Sequence, residues 1–377
     1  MCRSGIVQFF SALLLGSSLA TQTPVENVVL VTIDGLRWQE VFSGAENQLM
    51  NKDSGGVKDL LRARRLFWRG TPQARRELLM PFFWRRLVPA GQLFGNPEHN
   101  SKATVTNKHL FSYPGYNELL TGRADPRIAS NQKLPNPNVT VLEWLHDMPA
   151  YQGRVASFTC WDVFPYIINS ERSKIPVNAG WAPITEGNDP TRIQTLQELS
   201  DSLPRYWAET VRYDGLTYLA AVEYLKKHKP RVLYLALGET DDWAHARRYD
   251  LYLAMAQRCD RFLGELWDLL QSMPTYKDKT ALIITTDHGR GDGAQWTDHS
   301  KDVPGSENLW IAVTGPGVVA TGERRDVAVT QAQVASTVAH LLGHDFCASF
   351  PQAARPLPGL DAKQEQHEQT ERPGKQR

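Results

Sequence analysis

The sequence has 377 residues, of which 41% are hydrophobic and 22% are charged, so it is long enough and apolar enough to bury a large core. Its formal net charge of +1 excludes a general electrostatic attraction to nucleic acid or to an acidic surface, so any such binding must be local. No nucleic-acid polymer is therefore expected as a partner. One large domain and two smaller ones both fit this length.

The first 20 residues have the layout of a secretory signal peptide. Arg3 precedes an apolar stretch from Ile6 to Leu15, and small residues follow up to Ala20. The apolar stretch is too short to span a bilayer, and no later segment is long and apolar enough to do so. The sequence therefore predicts an exported protein, secreted or periplasmic, without a membrane span.

Five segments have the pattern of buried strands, because each is short, rich in β-branched residues and continuously apolar. In chain order they are NVVLVTID from Asn27, RVASFTC from Arg154, RVLYLALGE from Arg231, ALIITTDHG from Ala281 and LWIAVTGPG from Leu309. Helical periodicity occupies the stretches before Pro230 and before Pro274, and a further helix is predicted after Thr330. This alternation predicts an α/β fold with a mainly parallel central sheet flanked by helices.

Two regions lie outside the alternation. Residues 44–108 are predicted to be a small insertion or cap, in which arginines alternate with large apolar residues. An amphipathic helix pair packed on the sheet explains this pattern better than an anion-binding surface does. Residues 360–377 are polar and lack core residues, so they are predicted to be a disordered tail, which leaves 24–350 as the folded domain.

Carboxylates and imidazoles follow three of the predicted strands. They are Asp34 after VVLVTI, Asp241 and His245 in GETDDWAHA, Asp287 and His288 after ALIIT, and His299 in WTDHS. Each alone has a structural explanation, such as a helix cap. Because the carboxyl ends of parallel strands share one edge of a sheet, the six side chains are together expected to converge there. Six such ligands are enough for two divalent metal ions, and oxygen with imidazole nitrogen suits zinc.

The stretch HLFSYPGYNELLTG places a serine, a proline and a glycine in one turn just before a short apolar run. From its composition alone, Ser112 is either a turn residue or a nucleophile.

With these motifs the sequence resembles the alkaline phosphatase superfamily, and within it the nucleotide pyrophosphatase/phosphodiesterase (type I phosphodiesterase) branch. The matching segments are VTIDGLRWQEVF, SYPGYNELLTG, ETDDWAH, TDHG and VTQAQVASTVAHLLG, which occur in the family's order between about Val28 and Gly343. The resemblance implies an alkaline phosphatase-like fold. It also implies a metal-dependent hydrolase that acts on a small phosphodiester or phosphomonoester.

The same resemblance assigns roles to the candidate residues. Ser112 takes the place of the family nucleophile and would carry a phosphoseryl intermediate. One metal ion would be held by Asp241, His245 and His299. The other would be held by Asp34, Asp287 and His288, with the Ser112 hydroxyl as a further ligand.

The branch also has an asparagine after the motif proline, which binds a phosphoryl oxygen. Here Gly115 follows Pro114 instead, and the nearest asparagines are Asn117 and Asn107. Asn117 is assigned this catalytic role, with a structural role in the turn as the alternative.

Three other functions stay open. A sulfatase shares the superfamily fold, but Tyr116 stands where its motif has an arginine, and the three histidines at the site argue against its single calcium ion. A phosphotransferase or mutase would pass the phosphoryl group from Ser112 to an alcohol. An inactive binding module would be expected to lack a ligand or the nucleophile, and none is missing.

Overall fold

The structure is a computed structural model that describes residues 25–360. The predicted signal peptide lies outside the described residues, and so does all of the predicted tail except Leu360. Leu360 is buried, and its carbonyl oxygen accepts a hydrogen bond from the N–H group of Val319. Among the described residues, every helix is too short or too polar to cross a lipid bilayer.

The strands form where the sequence is short, β-branched and apolar. Those described are β1 (Asn27–Ile33), β2 (Gly91–Phe94), β3 (Ser101–Thr104), β4 (Val155–Thr159), β5 (Val177–Ala179), β6 (Val232–Leu237), β7 (Thr280–Thr285), β8 (Ile311–Thr314), β9 (Gly322–Glu323) and β10 (Val327–Thr330). Eight of them form one sheet in the order β5-β4-β6-β1-β7-β8-β2-β9, and β10 pairs with β3 in a second, two-stranded sheet.

The large sheet is mainly parallel, as the sequence predicts. The strands from β5 to β7 are parallel to one another, whereas β8 is antiparallel to both β7 and β2. Alternate residues of β1 belong to two different hydrophobic clusters, with Val29 and Val31 in one and Val28 and Leu30 in the other. Both faces of the sheet are therefore covered, which explains why its central strands are apolar without alternation.

Helices flank the sheet on both faces. They are α1 (Trp38–Ser43), α2 (Lys52–Gly55), α3 (Leu60–Phe67), α4 (Pro72–Leu79), α5 (Ser112–Thr121), α6 (Val141–His146), α7 (Phe164–Ile167), α8 (Ser170–Ser173), α9 (Pro190–Ser202), α10 (Asp214–His228), α11 (Glu239–His245), α12 (Tyr249–Ser272), α13 (Gln333–Leu341) and α14 (Phe346–Ser349). The helices predicted before Pro230 and Pro274 correspond to α10 and α12.

Helix α5 begins earlier than the sequence suggests. Its first residue is Ser112, so the proline and glycine that read as a turn lie inside the first helical turn. Pro114 is tolerated there because the first N–H groups of a helix have no partner within the helix. The helix ends at Gly122, whose φ of 77° is the left-handed conformation that glycine adopts without strain.

The region 44–108, predicted as an insertion or cap, contains the short helices α2, α3 and α4 and a five-residue π-helix at Phe83–Leu87. It also contains β2, which pairs with β8 in the large sheet, and β3, which pairs with β10. This region is therefore partly built into the sheets. The proposed division of the chain at these boundaries stays a prediction.

Candidate metal centre

The candidate ligands lie at one edge of the large sheet, where three neighbouring parallel strands end. Strand β1 lies between β6 and β7. Asp34 comes directly after β1, Asp287 and His288 come after β7, and α11, which begins two residues after β6, carries Asp241 and His245. The strand order thus brings together side chains that are far apart in the sequence, at the edge where parallel sheets bind ligands.

Asp34, Asp287 and His288 form one buried group in which the potential ligand atoms lie within 4.8 Å of one another. The Nε2 atom of His288 is 3.3 Å from Asp34 Oδ1 and 3.4 Å from Asp287 Oδ2. The Oγ atom of Ser112 is also 3.4 Å from His288 Nε2. The predicted nucleophile therefore lies directly beside this group.

A second group of potential ligand atoms within 4.8 Å consists of Asp241, His288 and His299. His245 adjoins it, with its Nε2 atom 3.1 Å from Nε2 of His299 and 3.2 Å from Oδ2 of Asp241. The rings of His288 and His299 stack with their centroids 3.8 Å apart. The structure thus brings together all six predicted ligands, and His288 lies between the two groups. Their division into two sets of three stays a prediction.

Backbone carbonyl groups orient two of the imidazoles. Nδ1 of His288 lies 2.9 Å from the carbonyl oxygen of Gly289, and Nδ1 of His299 lies 3.1 Å from that of Leu110. Because a carbonyl oxygen only accepts, Nδ1 must be the protonated nitrogen in both rings. Both histidines therefore direct Nε2 into the cluster, in the arrangement common for metal-ligating histidines.

Each of the two buried carboxylates has one oxygen held by the protein. The hydroxyl of Tyr116 donates to Asp34 Oδ2 at 2.8 Å, and the N–H group of Gly35 donates to Asp287 Oδ1 at 3.2 Å. The other oxygens, Asp34 Oδ1 and Asp287 Oδ2, are buried without a hydrogen-bond partner and point at His288. Unpaired buried oxygens are costly, so this donor set fits a divalent cation.

The electrostatics of the group lead to the same conclusion. Burial, and then the neighbouring Asp34 carboxylate, raise the pKa of Asp287 well above its usual range. Burial alone would lower the pKa of His288, but Asp287 and the other carboxylates around it raise the value to about 9. The cluster therefore holds an excess of negative charge that protons or cations must balance.

Arg290 contacts the candidate ligands although no local pattern indicates this, because Arg290-Gly291-Asp292 has the composition of a turn. Its guanidinium is buried, donates to an oxygen of Asp241 and to the carbonyl oxygen of Thr297, and lies 3.4 Å from Nδ1 of His245. Burial raises the pKa of Asp241, but Arg290 and the nearby imidazoles outweigh burial and hold this pKa well below its usual range. Arg290 thus fixes Asp241 in its ionised form.

The nucleophile candidate lies at the start of a helix. Ser112 is the first residue of α5 and is 7% exposed, so its hydroxyl is largely shielded from solvent. Leu110, two residues earlier, has a φ of 56°, and its carbonyl oxygen accepts from His299. The N-terminus of a helix is electropositive and binds anions, which suits an oxygen that must carry negative charge or a phosphoryl group.

Comparison with known proteins agrees with this geometry. The family model described as "Metalloenzyme superfamily" matches residues 210–345, which include five of the six candidate ligands. Phosphonate monoester hydrolase SpPMH from Silicibacter pomeroyi is similar in structure, with a TM-score of 0.52 and 13% identity over 93% of this chain and 78% of that chain. Lipoteichoic acid synthase LtaP from Listeria monocytogenes has a TM-score of 0.51 and 11% identity over 86% of this chain and 73% of that chain.

Ps i-CgsB is similar at a TM-score of 0.50 and 17% identity, with 89% of this chain and 75% of that chain covered. No curated protein matches the sequence. The chain has the fold of the alkaline phosphatase superfamily. The fold that the resemblance implies is thus confirmed, while the phosphodiesterase branch stays a prediction.

The structure explains why this alkaline phosphatase fold has a glycine after the motif proline. A Cβ atom at Gly115 would lie 2.4 Å from the carbonyl oxygen of Asp287. Helix α5 therefore packs directly against the backbone of a candidate ligand, and the branch's asparagine does not fit at this position.

Asn117, assigned a catalytic role from the sequence, is not brought to the cluster. Its side chain is fully buried, and Oδ1 accepts from the side-chain amides of Asn136 and Asn138 at 3.2 and 3.0 Å. These contacts support the structural alternative. Asn107 is also used structurally, because its Oδ1 accepts from the N–H groups of His109 and Leu110.

The loop after α5 lies beside the serine instead. Oδ1 of Asn131 accepts from the N–H group of Tyr113, the residue after Ser112, at 3.0 Å. Lys133, two residues along, forms a 2.6 Å ion pair with Asp162, which follows β4 at the same sheet edge. This loop therefore belongs to the surroundings of the site.

Proposed function

We propose that the protein is a two-metal phosphoester hydrolase, a phosphodiesterase or phosphomonoesterase, that acts through a phosphoseryl intermediate on Ser112. The observation that carries the proposal is the position of the Ser112 hydroxyl, at the N-terminus of α5 and 3.4 Å from His288 in a cluster of carboxylates and imidazoles. The metalloenzyme match and the fold support metal-dependent chemistry. Three imidazoles among the donors favour zinc.

Bound divalent ions would polarise the phosphoryl oxygens and lower the pKa of the serine hydroxyl. Asp34, Asp287 and His288 would hold one ion next to Ser112, and Asp241, His245 and His299 would hold the other. Arg290 donates a hydrogen bond to Asp241, which keeps that carboxylate ionised and oriented to bind a metal ion.

The residues of the chain perform the transfer in two stages. Ser112 Oγ attacks phosphorus, and the new Oγ–P bond forms as the bond to the leaving alcohol breaks, with the proton passing to that alcohol. A water molecule then attacks phosphorus, and its oxygen bonds to phosphorus as the Oγ–P bond breaks. One proton of the water returns to Ser112 Oγ, and phosphate or a phosphomonoester is released. The N-terminal dipole of α5 stabilises the negative charge on the transferred group.

The test is hydrolysis of three p-nitrophenyl compounds by the purified zinc-loaded protein: the phosphomonoester, the bis-phosphodiester and the sulfate ester. We expect release of nitrophenol from at least one phosphate compound and at least a 1,000-fold loss in the variant Ser112→Ala, roughly the effect of removing a nucleophile. Metal content should be nearly unchanged, because six ligands remain. Ser202→Ala, on the exposed end of α9, is the matched control.

Each alternative gives a different result in the same assay. Activity on the sulfate ester alone would identify a sulfatase and overturn the proposal, as would full phosphatase activity in the Ser112→Ala variant. Transfer of the phosphoryl group to an added alcohol, with little release of free phosphate, would indicate a phosphotransferase. The predicted signal peptide further leads us to propose that the enzyme acts outside the cytoplasm.

A further inference from the structure

Positive charge is concentrated in one short part of the chain. Between Lys58 and Leu87 there are eight arginines and one lysine but only two carboxylates, although the whole chain has a formal net charge of only +1. This part contains α3 and α4, neither of which carries a candidate ligand. The charge therefore needs an explanation separate from the metal centre.

Two of the arginines have a structural role in α4. The guanidinium of Arg75 lies 4.5 Å from the centre of the Trp68 ring, and that of Arg76 lies 3.6 Å from the Trp84 ring. Arg76 is also paired with Glu323 at 3.1 Å. These contacts attach α4 to the rest of the fold, so neither arginine is free to meet a partner.

The outer face of α3 is different. Ala63 and Phe67 point inward and are each 2% exposed, whereas Leu61 is 85% exposed. Arg62 and Arg65 are exposed beside it. We call the exposed residues of this helix the α3 patch; they are Leu60, Leu61, Arg62, Arg65 and Leu66.

Large exposed hydrophobic side chains are few in the described part of the chain. Seven are found there, and the three on α3 are the largest group on one element. Scattered exposed leucines are normal, but three within seven residues, interleaved with arginines, form an amphipathic surface.

A groove continues the patch toward α12. It has a volume of about 660 Å³, with Phe67 and Phe82 in its wall and the exposed Arg85 and Arg86 at its rim. Leu66 belongs to both the patch and the groove. The groove is also lined by Asp260 and Glu265, and its rim arginines are paired with Glu77 and Asp268, so it extends the apolar surface of the patch but adds little net positive charge.

We propose that the α3 patch docks on the surface of an anionic phospholipid membrane. The arginines complement the negative headgroups, and the leucines reach the boundary of the acyl chains, where their burial is favourable. Binding to a nucleic acid would use the arginines but leave Leu61 exposed. Docking of a second copy through the same patch would bring like charges together.

The test is co-sedimentation of the full-length mature protein with vesicles of phosphatidylglycerol and phosphatidylcholine. The wild type is expected to bind vesicles rich in phosphatidylglycerol, to bind pure phosphatidylcholine poorly, and to dissociate as salt is raised. The double variant Arg62→Gln with Arg65→Gln should weaken binding to these vesicles about 30-fold, because each arginine near an anionic membrane surface usually contributes about 1 kcal/mol. Leu61→Ser should weaken it roughly tenfold.

Matched controls are Lys102→Gln with Lys277→Gln, which removes two exposed charges elsewhere, and Leu199→Ser, which removes an exposed leucine from α9. Neither should change vesicle binding, and hydrolysis of a soluble substrate should be unchanged in every variant.

The proposal would be overturned if the wild type did not bind anionic vesicles, or if the patch variants bound these vesicles as well as the wild type does. It would also be overturned if binding depended on the arginines but not on Leu61 and was stronger to DNA than to vesicles. If the wild type self-associated but did not bind vesicles, and the patch variants lost this self-association, the patch would be a contact between two copies of the chain. That result would also overturn the proposal.

Discussion

Gly115 shows how a single residue determines the approach of helix α5, which carries the candidate nucleophile, to the candidate metal centre. The absence of a side chain lets α5 lie against the carbonyl group of Asp287, which places Ser112 beside His288. A residue that first appears as a departure from the phosphodiesterase motif is thus required by the packing of this chain. The asparagine of the branch has no counterpart at this position, and the catalytic role of Asn117, whose side chain accepts from Asn136 and Asn138, stays a prediction.

The variant Gly115→Ala tests this packing. Its Cβ atom would meet the Asp287 oxygen at 2.4 Å, so α5 or the segment after β7 has to shift. We expect a loss of 1–3 kcal/mol of stability, which is about the usual range for overpacking, together with a fall in activity of roughly 100-fold. Thermal unfolding and the p-nitrophenyl assay measure the two effects.

Gly70→Ala is the matched control, because a Cβ atom at Gly70 would have no neighbour within 4 Å. If Gly115→Ala retained wild-type activity and stability, the close approach of α5 to Asp287 would not matter for catalysis.

At the scale of elements, the sequence was most informative where a strand or a ligand had a local signature. Strands such as β1, β6 and β7 were predictable because burial on both faces makes them continuously apolar. The carboxylates and imidazoles that follow these strands each have a structural explanation alone, but their shared position at the carboxyl ends of parallel strands made their convergence predictable.

Other features depended on contacts between distant segments and left no local signal. The buried Arg290 could not be distinguished from a turn residue, since its partners Asp241 and Thr297 are brought together only by the fold. The start of α5 at Ser112 was hidden by a proline and a glycine, which usually interrupt helices. The burial of Asn117 among Asn136 and Asn138 is likewise a tertiary property.

Helix α12 provides a contact whose strength should depend on pH. Asp260 on this helix is buried, and its carboxylate accepts the N–H groups of Phe82 and Phe83 at 2.9 and 2.8 Å. Burial raises the pKa of Asp260 to about 7, although these two hydrogen bonds oppose the increase. The contact joins α12 to the segment that precedes β2.

The consequence is a stability that falls with rising pH. Between about pH 4, near the ordinary carboxyl pKa, and pH 7, the folded state holds a proton on Asp260 that the unfolded state has lost. The contribution of this group to the free energy of unfolding therefore decreases through that range. The variant Asp260→Asn cannot titrate, so its stability relative to the wild type should rise by roughly 2 kcal/mol from pH 5 to pH 7.

Denaturant unfolding of both proteins at several pH values measures this difference, and the metal centre affects both alike. Asp268→Asn, on the same helix but 60% exposed, should show no such trend. A difference between Asp260→Asn and the wild type that stays constant with pH would refute the prediction.

For the whole molecule, metal binding should contribute to stability. The unpaired oxygens of Asp34 and Asp287 are buried where β1 and β7 end, so a cation there would offset the repulsion between the two carboxylates. We expect zinc at 100 times its dissociation constant to add about 2.7 kcal/mol to the free energy of unfolding. Chelation should remove that stabilisation.

Thermal unfolding with and without a chelator provides the measurement. The variant Asp287→Asn serves as its control: it should be at least as stable as the wild type in chelator, because an amide needs no proton to be neutral in this buried position, but it should gain little from zinc. An unfolding temperature that is the same with zinc and with chelator would contradict the metal assignment.

The order of strands also has a consequence for the synthesis of the chain. Strand β1 is the first of the described strands to be synthesised, yet Val28 pairs with Val232 on one side and with Ala281 on the other. About 200 residues must therefore be made before β1 finds its first neighbour. Until then this apolar strand lacks its partners in the sheet, so we expect any product truncated before β6 to be prone to aggregate.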